Sequence, residues 1–337
     1  MRVFFSDHFD LRLPAGHRFP GTKYGLLRRK LLEEDILPEA ALSPSPEALP
    51  AAIAAAHDPV YVQAIRTGAI SATTMRRIGF PWSEHLWRRS AATMGGAIAA
   101  ARAALDDGVS GQLAGGTHHA HHDFGAGYCV FNDFAIVAMT LLPSPACGRG
   151  VGREGAYCEG STLIDAPAPG ASRHPLPQAG EGKVRRIAII DLDVHQGDGN
   201  AAILGAREDV FIFSMHGAKN FPFRKEKSTL DVELPDGVED DEYLRALAEH
   251  LPAVWAFRPD LVLYQAGVDP LKEDRLGRMA LTHRGLKERD RMVLAGACAR
   301  GIPVSIAIGG GYAQPIEASI EAYANTWRVA RNAFTRA

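Results

Sequence analysis

Residues 187–200, IAIIDLDVHQGDGN, constrain the possible fold more than any other stretch. Ile187, Ala188, Ile189 and Ile190 are apolar without alternation, the pattern of a strand covered on both faces in a parallel sheet. The stretch ends in Asp191, Asp193 and His195. Side chains on a strand repeat every second residue, so these three share a side for as long as the chain stays extended. Gly197-Asp198-Gly199 then turns the chain out of the sheet. Open α/β sheets bind ligands at this carboxyl edge. Burying two carboxylates beside an imidazole is costly without compensation, so the pattern asks for a cation.

The rest of the chain alternates strand and helix. Strands are predicted over 2–6, 112–115, 210–214, 261–267 and 304–308. Helices are predicted over 24–34, from Asp58-Pro59 onward, and over 82–105, 133–142, 242–256, 282–300 and 314–331. This order argues for a parallel α/β sheet with helices on both faces. Residues 143–183 break it, being rich in Pro, Gly, Ala and Arg, with little periodicity where a short connection is usual. The expectation is one domain over residues 1–337 with an insertion at 143–183. Cys147, Cys158 and His174 within that insertion are read as linker residues rather than as a metal site.

A net charge of −2 over 337 residues gives no reason to expect nucleic acid or an anionic membrane as partner. No apolar run reaches the length of a membrane span. Met1 to Phe9 carries Asp7 and lacks a basic start followed by an apolar core, so no signal peptide is expected. The four cysteines show no CxxC spacing. A reducing cytoplasm is the expected location.

The predicted strand ends bring polar groups to one edge: Asp193 and His195, then Asp269, then Tyr312 after Gly309-Gly310-Gly311. Two carboxylates and an imidazole fill three positions of a zinc site and leave another open, the catalytic rather than the structural pattern. The Gly-rich loop at 115–133 adds His118 and His119, whose imidazoles suit the base and acid of a hydrolysis near neutral pH. Each needs a carboxylate on its far nitrogen, and Asp191 and Asp198 remain for that task. Tyr312 suits a donor to a developing oxyanion. Plainer readings stand beside each of these: a turn or helix cap for Asp269, a surface metal-binding tract for the histidine run, a turn residue for Tyr312. Residues 197–202 also match the GxGxxA dinucleotide fingerprint. Three neighbouring aspartates would repel a pyrophosphate there, and no acidic residue ends the next predicted strand to hold a ribose.

With these residues in hand, the chain resembles the histone deacetylase superfamily. GGTHHAHHDFGAGYCVFND, IDLDVHQGDGN, YQAGVDPLKEDRLG and AIGGGY occur in the family's order, and the match runs from Val3 to about Val329, omitting the insertion. The N-terminal SDHFDLRLPAGHRFPGTKY and the lack of a long basic tail look like compact bacterial, class IV-like members. The resemblance implies the arginase/deacetylase fold, an eight-stranded parallel sheet with helices on both faces, and one catalytic zinc ion on Asp193, His195 and Asp269. It implies His118 and His119 as the acid/base pair, oriented by Asp191 and Asp198, with Tyr312 polarising the acyl carbonyl. It places Tyr128 and Phe221 as walls of an acyl-lysine tunnel, Gly127 at its floor and Leu276 near its rim. A structural potassium ion is implied at Asp191, Asp193, His195, Ser214 and Met215. Gln196 stands where many members have a second histidine, and His121 and His122 replace other polar residues.

The implied activity is removal of acetyl or other acyl groups from the ε-amino group of lysine in proteins or peptides. Deacetylation of small amines such as acetylpolyamines is the alternative within the same chemistry. An inactive acyl-lysine binder should have lost a ligand or Tyr312, and neither is lost. A binuclear manganese ureohydrolase needs a DxHxD pattern, and Asp198 stands one residue too far from His195.

Overall fold

The computed structural model describes residues 1–143 and 184–334. Its sheet contains β1 (Val3–Phe5), β2 (Leu42–Pro44), β3 (Val109–Gln112), β4 (Ile187–Asp191), β5 (Val210–Gly217), β6 (Leu230–Leu234), β7 (Leu261–Gln265) and β8 (Val304–Ala307). The spatial order is β2-β1-β3-β8-β7-β4-β5-β6, and every pairing is parallel. The sheet is therefore the eight-stranded parallel sheet of the expected fold. Strand β4 lies between β7 and β5, with Asp191 in register with both Gln265 and Ser214. All strand ends that carry chemistry consequently share one edge.

Alternate residues of β4 feed two separate cores. Ala188 and Ile190 pack on one face with α8 (Asp240–Ala256), α9 (His283–Cys298) and α10 (Ile316–Phe334). Ile187 and Ile189 pack on the other with α5 (Glu84–Asp107) and α6 (Asp133–Leu141). An unbroken apolar strand is the local record of this two-sided burial. The remaining helices are α1 (Lys23–Glu33), α2 (Pro50–Ile53), α3 (Pro59–Thr67), α4 (Ala72–Ile78) and α7 (Asp198–Leu204). Asp58 caps α3, accepting from the amide of Val60, with Pro59 at the first helical position. No helix among the described residues is long and apolar enough to cross a membrane.

Five elements lie outside the sequence expectation: β2, α2, α4, α7 and β6. The two strands are edges of the sheet. Pro44 costs β2 nothing on an edge, and β6 alternates L-D-V-E-L over a half-exposed surface. Helix α7 starts inside the glycine turn, where propensity is low and Asp198 sits in the first turn. Strand β3 lies at 109–112 rather than 112–115. The extended backbone of β4 also stops at Asp191, and residues 193–195 are bends. Strand periodicity therefore does not position Asp193 and His195. The expected insertion at 143–183 lies outside the described residues from residue 144 onward.

Candidate active site

Asp193 and Asp269 are fully buried, while His195 keeps 11% of its side chain exposed toward a cavity of about 290 Å³. His195 Nδ1 lies 3.0 Å from Asp193 Oδ1 and 3.0 Å from Asp269 Oδ2. One ligand atom from each residue falls within 4.8 Å of the others. The remaining carboxylate oxygens are held by backbone: Gly310 N–H donates to Asp193 Oδ2 at 2.8 Å, and Val194 N–H to Asp269 Oδ1 at 2.9 Å. A Cβ on Gly310 would stand 2.0 Å from Asp269 Oδ2, so only glycine lets this backbone come so close. Burial works against charge on His195, yet the two carboxylates hold its pKa up to about 10. Burial and the Asp193 charge push Asp269 up to about 7. Two buried carboxylates facing one imidazole carry surplus negative charge, and a divalent cation in place of the shared proton would satisfy all three. The donor set of imidazole and two carboxylates fits zinc.

His118 and His119 follow β3 on the Gly-rich loop, their rings 4.1 Å apart. His118 Nδ1–H donates to Asp191 Oδ2 at 2.8 Å, and His119 Nδ1–H to Asp198 Oδ1 at 2.6 Å. Ionised carboxylates only accept, so both free Nε2 atoms are left for the cavity side. Burial lowers both imidazoles, but Asp191 and Asp193 outweigh it at His118 and hold that pKa up at about 9. At His119, burial and the neighbouring His118 charge prevail over Asp198, and its pKa falls to about 4. The two environments therefore push the pair apart, His118 upward and His119 downward. His121 Nε2 takes the other oxygen of Asp198 at 3.0 Å, a partner the sequence did not suggest.

The cavity is lined by His118, His119, Asp193, His195 and Tyr312, together with Gly127, Tyr128, Phe221 and Leu276. The Phe221 ring stands 4.8 Å from that of His119. A Cβ on Gly127, whose φ is +53°, would come within 2.7 Å of the His119 ring. Tyr312 is only 8% exposed and packs 6.1 Å from Tyr128, so the glycines before it do not leave it loose. Asp191 and Asp198 stand behind the histidines rather than in the cavity. Ser214 and Met215 are buried in β5, with Asp191 in register with Ser214, but the Ser214 hydroxyl pairs with His216 Nδ1 at 2.9 Å.

The description "histone deacetylase domain" matches residues 17–149 and 176–329. An uncharacterized protein of Picosynechococcus sp. is 39% identical over 336 residues, covering 98% of this chain and 99% of that one. Histone deacetylase 2 of Arabidopsis thaliana is 28% identical over 331 residues, covering 92% and 74%. The chain belongs to the histone deacetylase family. The crystal structure of acetylpolyamine aminohydrolase from Burkholderia pseudomallei superposes with a TM-score of 0.71 at 19% identity, covering 99% of both chains, and shares the fold.

Other residues that hold this histone deacetylase site together were not apparent from the sequence. Lys23 is buried beside the glycine loop, donating to the carbonyls of Gly309 and Gly311 and lying 5.0 Å from the Tyr312 ring. Its signal was a cation on the buried stripe of α1 with Leu27 and Leu31. Asp274 accepts from the Tyr312 amide at 2.6 Å. Asp133 gathers the amides of Gly116 and Thr117. His57 is fully buried and accepts from the amide of Asn132 at 2.8 Å, fastening the far end of the histidine loop. Nothing local marks His57, because its partner lies 75 residues away.

Proposed function

We propose that this histone deacetylase family member is a zinc-dependent hydrolase that removes acetyl or other acyl groups from the ε-amino group of lysine in proteins or peptides. One observation carries the reading: His119, Tyr312, Asp193 and His195 line a single cavity beside apolar walls. Asp193, His195 and Asp269 would hold the zinc, which when bound supplies Lewis-acid polarisation and a more acidic water. The remaining work falls to the chain. His119, neutral and fixed by Asp198, accepts a proton at Nε2. His118, charged and fixed by Asp191, supplies a proton to the leaving amine. The Tyr312 hydroxyl donates to the acyl oxygen as it gains charge. Tyr128 and Phe221 wall the lysine stem, Gly127 lets the floor approach His119, and Leu276 stands at the rim. Asp191, Asp193, His195, Ser214 and Met215 would hold a structural potassium ion, a reading supported by the register of Asp191 with Ser214.

The same proposal takes residues 1–337 as one catalytic domain with an insertion at 143–183. The family match breaks over 150–175, in support of that reading. The bacterial, class IV-like assignment rests on the N-terminal stretch 6–24. A cytoplasmic location is in keeping with the free thiols of Cys129 and Cys298. The deciding experiment sets acetyl-lysine peptides against N-acetylputrescine and N-acetylspermidine with the zinc-loaded protein. Peptide turnover is expected. Turnover of the polyamines alone would transfer the site to small amines, and none of either would sink the hydrolase reading.

A further inference from the structure

The mouth of the cavity is charged. Lys219 and Arg278 line it with 72% and 53% of their side chains exposed. Asp236 lies 3.8 Å from Lys219 and 3.1 Å from Arg278, so one carboxylate is shared between two cations. The two segments that supply this wall, 219–227 and 272–278, hold seven cations and three carboxylates. Of the carboxylates, Asp274 is turned inward, accepting from the amides of Leu276, Gly277 and Tyr312. Lys225 is also engaged, on the carbonyls of Asn220 and Pro222, but Arg224 and Arg275 remain exposed. Among the described residues the one carboxylate lining the cavity is Asp193, at its base. Phe221, Phe223 and Leu276 are three of the six large hydrophobic side chains exposed among the described residues, and all three line this cavity. Such shoulders beside paired cations suit a peptide that brings carboxylates.

We propose that Lys219 and Arg278 form a carboxylate-binding subsite at the mouth, so that the enzyme prefers acyl-lysine flanked by aspartate or glutamate and disfavours polycationic acyl amines. This rests on the acyl-lysine reading and names its substrate class. An acetylated polyamine keeps at least one ammonium group, which would leave the cavity beside two cations, and among the described residues no carboxylate other than Asp193 lines that cavity. A flanking carboxylate meets the guanidinium of Arg278 in a geometry that permits two parallel hydrogen bonds. Exposed pairs of this kind act mainly on encounter and on KM, and each is weakened by salt.

The test uses the zinc-loaded full chain with three fluorescent acetyl-lysine peptides, flanked by glutamate, by glutamine or by lysine, and with N-acetylspermidine. Binding by anisotropy (competition for the polyamine) and turnover are both measured, at low and high salt. The glutamate peptide is expected to lead the lysine peptide by roughly threefold to tenfold in kcat/KM and in Kd. The lead should shrink in salt and reverse in the double variant Lys219→Glu, Arg278→Glu. Equal binding of the three peptides, binding of none, or a preference for the lysine peptide or the polyamine overturns the subsite. Loss of turnover on every substrate overturns the hydrolase reading instead, and the binding order still decides the subsite.

Discussion

Arg289 and Asp290 on α9 are as deeply buried as Asp193 and Asp269, yet the two clusters are built differently. Arg289 gives Nε and Nη2 to Asp290 Oδ1 at 2.9 and 2.8 Å, and Nη1 to the carbonyl of Gly267 at 2.6 Å. Tyr264 and Thr326 complete the Asp290 carboxylate at 2.5 and 2.6 Å. One cation meets one anion and the donors are spent, so the cluster is closed. The Asp193–His195–Asp269 group has two carboxylates for one ring, and His195 faces a cavity. Burial alone therefore does not mark a functional site. A charge mismatch that opens on a cavity does. The clusters are also joined, since Arg289 donates to the carbonyls of Leu192, one residue before Asp193, and of Gly267, two residues before Asp269.

The open and closed clusters should part most widely at Asp269. Asp269→Ala is expected to abolish both bound zinc and turnover, because two remaining ligands hold the ion weakly, while cooperative unfolding survives. Metal analysis that finds zinc retained would show the group to be a satisfied structural cluster like its neighbour. Asp290→Ala should do the reverse. Leaving Arg289 buried without its counter-ion costs about 3–5 kcal/mol, read as a lowered midpoint in chemical denaturation. A shift of less than about 1 kcal/mol would deny that the closed cluster is structural.

Tyr312→Phe sharpens the open side. It should lower kcat by roughly a hundredfold to a thousandfold with little change in zinc content or ground-state affinity. Near wild-type kcat would make Tyr312 a packing residue of the aromatic group it sits in.

His57 tests the scaffold by pH. Burial lowers its pKa from 6.5 to about 4 in the folded protein. The unfolded state thus binds the extra proton first, and stability is lost as pH falls from 6.5 toward 4. The loss amounts to about 3 kcal/mol and should be absent in His57→Gln. An unchanged pH slope in that variant would contradict the assignment. The smallest effect is expected from deleting residues 145–181: zinc content and cooperative unfolding should persist, and their loss would place that segment in the core.

The central strands and long helices were legible because burial writes a local pattern: IAII in β4 packs two cores with alternate residues, and helices repeat apolar positions within a turn or two. The edge strands β2 and β6 carry little of that signal, since one side of each pairs with no strand among the described residues. Asp193, His195 and Asp269 were legible from residue type and sheet topology together, although strand period does not position them. The chain bends after Asp191, and backbone amides from Gly310 and Val194 aim the carboxylates.

The parallel α/β class and the chemical inventory of the site are written in the chain, because periodicity and residue type are local properties. Which groups share a space depends on how distant segments fold together. Lys23 meets a glycine loop 286 residues away. His57 fastens Asn132, and Asp198 serves His119 and His121 at once. Lys219 and Arg278 come to one mouth around Asp236. Each of these depends on distance and burial across separate elements, and charge acquires its meaning there from what stands opposite it.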